Sequence, residues 1–278
     1  MKTRAIDDSE IETSLCSLQH DGFCVLKQYI DPSVALVLAK RSRKISDQLI
    51  ANGRKTKAPI GMQRMISEDR LVNNIINYDD DFLTLASAGD HLKILIPILN
   101  DPYYGLLPEK HPNYILGQAN VREGTSALPF HVDTRILTKG LECWSMQGVL
   151  ALSAKTKQTG GLRVRPGSHV LGQYPDSKKV YDDSISVDLK PGDFVLFDSQ
   201  LHHATFASEV NFPGWSFNLT YRAWWVKQQF DFCKMLGAKK LKSLTPQQQF
   251  LLGACTIPSS DPLSSPSMRG GYELLETV

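Results

Sequence analysis

Pro191-Gly192-Asp193-Phe194-Val195-Leu196-Phe197-Asp198-Ser199-Gln200-Leu201-His202-His203-Ala204-Thr205 is the stretch on which the fold turns. Proline, glycine and aspartate in succession make a turn, since proline presets φ and glycine accepts positive φ. Four apolar residues then read as a short buried strand. Two histidines follow on an extended segment. Neighbouring side chains on such a segment face opposite ways, so only one of His202 and His203 can look into a given pocket.

The same texture extends back to about Tyr114. Short stretches of β-formers alternate with Gly, Pro, Asn and Asp, which predicts strands over 114–121, 144–152, 162–165, 185–189, 193–197 and 215–225. Many short strands at this spacing predict a sandwich or barrel, and the lack of a βαβ rhythm disfavours a doubly wound sheet. Residues 1–113 read as mainly helical. Ile11, Leu15 and Leu18 recur at helical spacing behind Asp8 and Ser9, and Phe23-Cys24-Val25-Leu26 is a short strand. Asp31-Pro32 pairs an N-cap with proline at the first helical position, opening a helix towards Gly53. A third helical region spans about 80–99, with Pro97 kinking or ending it. Residues 227–278 return to helix and tail, starting a helix at the capping box of Thr245 and Gln248. The expected organisation is one domain over 1–278, with a helical part (1–113), a β core (114–226) and C-terminal helices.

Composition narrows the function. Of the 278 residues 42% are hydrophobic, ample for a core, and the net charge of +2 is spread without a basic stripe, so nucleic acid is not an expected partner. No signal-like or membrane-spanning apolar run occurs, so a cytoplasmic protein without a membrane contact is expected. The five cysteines are widely spaced and lack a C-x-x-C pair, against a disulfide framework or zinc ribbon. The expected partner is a small molecule, and oligomeric state has no signature.

Chemistry concentrates in three places. Leu128-Pro129-Phe130-His131-Val132-Asp133 sets an imidazole and a carboxylate two positions apart, on one face of a strand. With one downstream histidine these make the two-histidine, one-carboxylate triad of non-haem iron(II) oxygenases, which leaves coordination positions open. Phe217-Asn218-Leu219-Thr220-Tyr221-Arg222 alternates as a strand, with Asn218, Thr220 and Arg222 on one face. An arginine inside a barrel needs an anion, either a structural acid or a ligand carboxylate.

The order of His131-Val132-Asp133, Gly160-Gly161-Leu162-Arg163-Val164-Arg165-Pro166-Gly167-Ser168-His169, Pro191-Gly192-Asp193, His203-Ala204-Thr205 and Arg222 resembles the phytanoyl-CoA dioxygenase family. The opening His20-Asp21-Gly22-Phe23-Cys24-Val25-Leu26 is similar too, so the likeness covers about 18–225. The resemblance implies a mainly β fold with flanking helices around a double-stranded β-helix, or jelly roll. It implies iron(II), 2-oxoglutarate and O2. It implies His131 and Asp133 as the first two ligands and His203 as the third, because a small residue and then a hydroxyl follow it. His202 then faces away, and His169 is structural. Arg222 corresponds to the residue for the distal carboxylate of 2-oxoglutarate. Leu128 stands where members often carry glutamine, which leaves Gln118, Asn120 and Thr134 as candidates for the other end of that molecule. Asp133 disfavours halogenation. The implied reaction is hydroxylation of an unactivated C–H bond, with succinate and carbon dioxide as coproducts. Desaturation, cyclisation or epoxidation would use the same ligands, and a catalytically silent jelly-roll protein would not need them. Arg64, Arg135 and Arg163 are candidate contacts for an anionic substrate, set against a solvated role.

Overall fold

The computed structural model describes residues 3–53, 70–102, 111–124, 126–210 and 214–256. Ten strands lie within them: β1 (Phe23–Leu26), β2 (Arg70–Asn73), β3 (Tyr114–Glu123), β4 (Leu128–His131), β5 (Ser145–Ala151), β6 (Leu162–Val164), β7 (Ile185–Val187), β8 (Phe194–Asp198), β9 (His203–Thr205) and β10 (Trp215–Ala223). They form two antiparallel sheets, one in the order β1-β8-β5-β10-β3-β2 and one in the order β4-β9-β6-β7. The two sheets are the halves of a jelly roll.

The period of two decides what each face does. On β8, Phe194 and Leu196 join the large core under the helices, while Val195 and Phe197 face the second sheet. On β10, Trp215, Phe217, Leu219 and Tyr221 join the helical core, while Ser216, Asn218, Thr220 and Arg222 line a cavity between the sheets. Leu162, Val164, Val187 and Leu189 from the second sheet close a smaller inter-sheet core against Val195 and Ala151.

Seven α-helices among the described residues surround this frame: α1 (Asp8–Asp21), α2 (Pro32–Ala51), α3 (Asp80–Ala88), α4 (Leu92–Leu99), α5 (Phe232–Leu236), α6 (Ala238–Lys242) and α7 (Pro246–Leu251). Their ends follow local chemistry. Asp7 accepts from the Glu10 amide at the start of α1, and Gly22 closes it at φ 83. Asp31 caps α2 ahead of Pro32, and Thr245 and Gln248 form the expected capping box of α7.

The expected helix over 80–99 is two helices, and the break is at Gly89 rather than Pro97. Gly89 is extended, and a Cβ on it would meet the Tyr29 hydroxyl at 2.4 Å and His91 Nδ1 at 2.7 Å. Those two groups belong to a buried chain. Tyr221 donates to the Ala86 carbonyl and accepts from His91 Nε2, and His91 Nδ1 accepts from Tyr29, each at 2.7–2.8 Å. Burial pushes His91 down to about 3, so it stays a neutral tie between α4, the β1–α2 turn and β10. No single described helix is long and apolar enough to cross a membrane.

Candidate metal centre and its cavity

His131 ends β4 and His203 starts β9, and the two are paired across the strands. Their rings lie 4.1 Å apart between centroids. Asp133 is not on the strand as expected. It stands two residues past the end of β4, where its backbone N–H donates to the Ser199 carbonyl at 2.8 Å. That bond ties the β4 exit to the β8–β9 turn and swings the carboxylate between the imidazoles. His131 Nε2 is 3.6 Å from one carboxylate oxygen and His203 Nε2 is 3.5 Å from the other. All three ligand atoms lie within 4.8 Å of one another.

The tautomers follow from the other ring nitrogens. His131 Nδ1 is 2.8 Å from the Pro129 carbonyl, and His203 Nδ1 is 2.9 Å from the Leu201 carbonyl. A carbonyl only accepts, so both Nδ1 atoms carry the proton and both Nε2 lone pairs point at the shared space. Burial and the neighbouring His203 push His131 down to about 4. Enclosure works against the charge of Asp133, but His203, His131 and Arg222 outweigh it and hold the carboxyl at about 2. Burial opposes the charge of His203 as well, and Asp133 overcomes it to raise its pKa. Two nitrogen donors and one carboxylate with open space beside them suit iron(II), and the absence of thiolate argues against a structural zinc site.

His202, the neighbour, turns away as expected, with Nε2 bonded to the Gln173 carbonyl at 2.9 Å. His169 packs against Gly22 at the end of α1, where a Cβ would lie 2.5 Å from its Nδ1, and it does not line the cavity.

The cavity has a volume of about 530 Å³. Gln118 and Asn120 from β3, Thr134, Arg135 and Arg222 all line it, together with the triad. Thr134 has its hydroxyl occupied in a turn with Ile136. Asn120 Oδ1 accepts from the Asn74 amide at 3.4 Å. Arg222 Nη1 donates to the Lys227 carbonyl at 2.8 Å. Its side chain fits because Gly117 is a bulge opposite Thr220 and Tyr221; a Cβ there would lie 2.8 Å from Arg222 Cδ and Nε. Burial lowers the Arg222 pKa, and the charge of Asp133 offsets part of that.

Arg163 does not reach the cavity. Leu162 faces it, so the next residue on β6 faces out, and Arg163 lies over the Phe130 and Phe206 rings at 5.7 Å from each. Arg165 pairs with Asp183. Arg64 lies outside the described residues. Sequence reading missed Arg122, Gln147, Lys155 and Thr205, all of which line the cavity. Arg122 follows Gln118 and Asn120 at the period of two, a signal that was present. Gln147 accepts from Thr220 at 2.8 Å and donates to Ser199 at 3.0 Å, a buried link that only the sheet pairing reveals.

The model of the phytanoyl-CoA dioxygenase family matches residues 18–210, well over half of the chain. The chain belongs to this family. Membership makes it an iron(II)- and 2-oxoglutarate-dependent enzyme that uses dioxygen. Rv1501, an uncharacterised protein of Mycobacterium tuberculosis, is 22% identical over 239 residues, covering 84% of this chain and 82% of its own. Among solved structures, HygX of Streptomyces hygroscopicus with nickel, 2-oxoglutarate and hygromycin B has a TM-score of 0.59 at 16% identity, covering 81% and 94% of the two chains. SnoN, an α-ketoglutarate-dependent epimerase of nogalamycin biosynthesis, has a TM-score of 0.56 at 16% identity over 77% and 83%. The carbocyclase SnoK of the same biosynthesis has 0.55 at 12% identity over 76% and 83%. These similarities establish a shared jelly roll.

Proposed function

We propose that the protein hydroxylates an unactivated C–H bond of a small-molecule metabolite, with conversion of 2-oxoglutarate to succinate and carbon dioxide. The observation that carries this is the convergence of His131 Nε2, His203 Nε2 and the Asp133 carboxylate on the wall of a cavity that also holds cationic side chains. In this reading His131, Asp133 and His203 would hold iron(II), which would supply oxygen activation. The protein's own part is positioning. The Asp133–Ser199 bond fixes the carboxylate and the two carbonyls fix the imidazoles, while on the same cavity wall Arg222 would pair with the distal carboxylate of 2-oxoglutarate and Gln118 would serve its other end. Arg135 stands exposed beside the triad and favours an anionic substrate at the mouth.

A second reading keeps the same C–H activation and ends in ring closure or epimerisation. The fold shared with a carbocyclase and an epimerase favours it. Both readings require the same first test. Anaerobic addition of iron(II) and 2-oxoglutarate is expected to give a weak visible charge-transfer band, and admission of air to give succinate. No band and no succinate would sink the assignment. Incubation with candidate metabolites under 18O2 then separates the two readings: label in the product means hydroxylation, a two-hydrogen loss without label means ring closure or desaturation, and an unchanged mass with an inverted centre means epimerisation.

A further inference from the structure

Asp133 has the least support of the three candidate metal ligands. Each imidazole gives its Nδ1 proton to a carbonyl. Among the described residues, no donor except those two imidazoles reaches the Asp133 carboxylate. The residue lies past the end of β4, so no strand ladder holds it. What places it is one backbone bond, from its N–H to the Ser199 carbonyl at 2.8 Å. Liganding carboxylates are ordinarily held by outer partners whose loss costs metal affinity. Here that duty falls on Ser199.

Ser199 opens the turn over 199–202 between β8 and β9. That turn supports two of the three ligands, since its Leu201 carbonyl also receives His203 Nδ1 at 2.9 Å. Its Gln200 side chain holds the segment after Asp133, accepting from the Thr138 N–H at 2.6 Å and donating to Thr138 Oγ1 at 2.9 Å. Ser199 itself is wholly buried, and β5 grips it at three points. Its N–H donates to the Ser145 carbonyl at 3.0 Å. Its hydroxyl donates to Ser145 Oγ at 2.9 Å and accepts from Gln147 Nε2 at 3.0 Å.

Behind Gln147 stands Thr220, whose hydroxyl donates to Gln147 Oε1 at 2.8 Å. A one-way chain therefore runs from Thr220 on β10 through Gln147 and Ser199 to Ser145, with each member committed as donor or acceptor to the next. None of the four is more than 8% exposed, so a missing member leaves a buried polar group unpaired. We propose that Ser199 and Gln147 are positioning residues for the metal, with Thr220 behind them. The chain seats the carbonyl on which Asp133 hangs, and so sets how closely the triad can converge on an ion. This rests on the iron-site reading above. It assigns a role in metal binding to three side chains that make no hydrogen bond to a ligand side chain.

Gln147 and Thr220 also line the cavity, so the probe is metal alone, without 2-oxoglutarate or substrate. Cobalt(II) is titrated into the full-length protein, and its visible d–d bands report affinity and ligand geometry together. Cobalt(II) binds nitrogen and oxygen sites at least as well as iron(II) does. Ser199→Ala keeps the carbonyl and removes the hydroxyl. It should weaken cobalt(II) binding by about 10- to 100-fold and shift the bands. Gln147→Met keeps the side-chain length and removes both hydrogen bonds, with an expected loss of about 10-fold. Added to Ser199→Ala, it should weaken binding no further, because both act through one hydroxyl. Thr220→Val, one bond further back, should lose about 3- to 10-fold, the scale of a single neutral hydrogen bond. Thr220→Ser keeps the hydroxyl and should restore the wild-type affinity and bands. Phe217→Ala, a core change of larger cost, should leave both untouched in the folded fraction. Wild-type affinity in both Ser199→Ala and Gln147→Met, or losses that multiply in the double variant, overturns the positioning role and leaves the metal site standing. If Ser199→Ala does not fold, the Thr220 pair decides, and equal affinity in the two overturns the role. A wild type that takes up no cobalt(II) overturns the iron-site reading as well.

Discussion

The two faces of β10 do different work with the same backbone. One face carries Trp215, Phe217, Leu219 and Tyr221, all 3% exposed or less, pressed into the core beneath the helices. The other carries Ser216, Asn218, Thr220 and Arg222 into the cavity. Each apolar residue gains by being surrounded, whereas each cavity residue keeps polar groups directed at a space between the sheets. Stability and chemistry therefore alternate residue by residue, and a substitution should disturb one or the other according to parity.

The largest break in that comparison concerns the same alternation at the entry to β9. His203→Ala should abolish iron(II) binding in anaerobic calorimetry, while His202→Ala, whose ring turns to Gln173, should stay within a few-fold of wild type. The reverse result would exchange their roles. On the core face of β10, Phe217→Ala should cost about 3–5 kcal/mol in urea unfolding. It should leave the iron affinity of the folded fraction unchanged, since the Phe217 ring packs on Phe82 and not in the cavity.

A buried carboxyl sharpens the comparison through pH. Asp198 ends β8 at 6% exposure, and burial raises its pKa from 3.8 to about 6 although the Gln200 amide donates to it. The proton is held more tightly in the folded state, so its stabilising contribution is complete below pH 4 and lost as pH rises through about 6. Asp198→Asn keeps an acceptor for Gln200 and removes the titration. The variant should gain on the wild type between pH 4 and 6, reaching up to about 3 kcal/mol above that window. Parallel unfolding curves at all pH values would refute it. The smallest effect belongs to the cavity face. Thr220→Val removes the donor to Gln147 and should cost about 1–2 kcal/mol, well under the Phe217 loss.

Much of this was legible beforehand for a physical reason. Strands and turns leave a period-two pattern with glycine and proline punctuation, so β3, β5, β8 and β10 fall within a residue or two of their expected bounds. The pairing of His131 with His203 depends on which strands become neighbours, which periodicity does not encode; the family resemblance supplied it. Asp133 was expected on a strand face and reaches the site instead through a backbone bond to Ser199, a contact across 66 residues that no local pattern announces. The break at Gly89 was masked by Pro97, the stronger helix breaker, because the Tyr29–His91 contact that crowds Gly89 is tertiary. Arg163 and Arg122 show the limit of parity alone. Both alternate on strands, and only the position of the second sheet says which alternation faces inward.

The Nδ1 protons of the two liganding imidazoles, each given to a carbonyl two residues upstream, have a consequence in time as well as in position. The rings are oriented before any ion arrives, so capture requires no search among rotamers or tautomers and little ordering at the moment of contact. Uptake should then be limited by the ion's shedding of water. A socket fixed in advance also cannot reshape itself to prefer one divalent ion over another of similar size. Selection among metals is left to the chemistry of two nitrogens and a carboxylate, and to which ion is at hand when the chain folds.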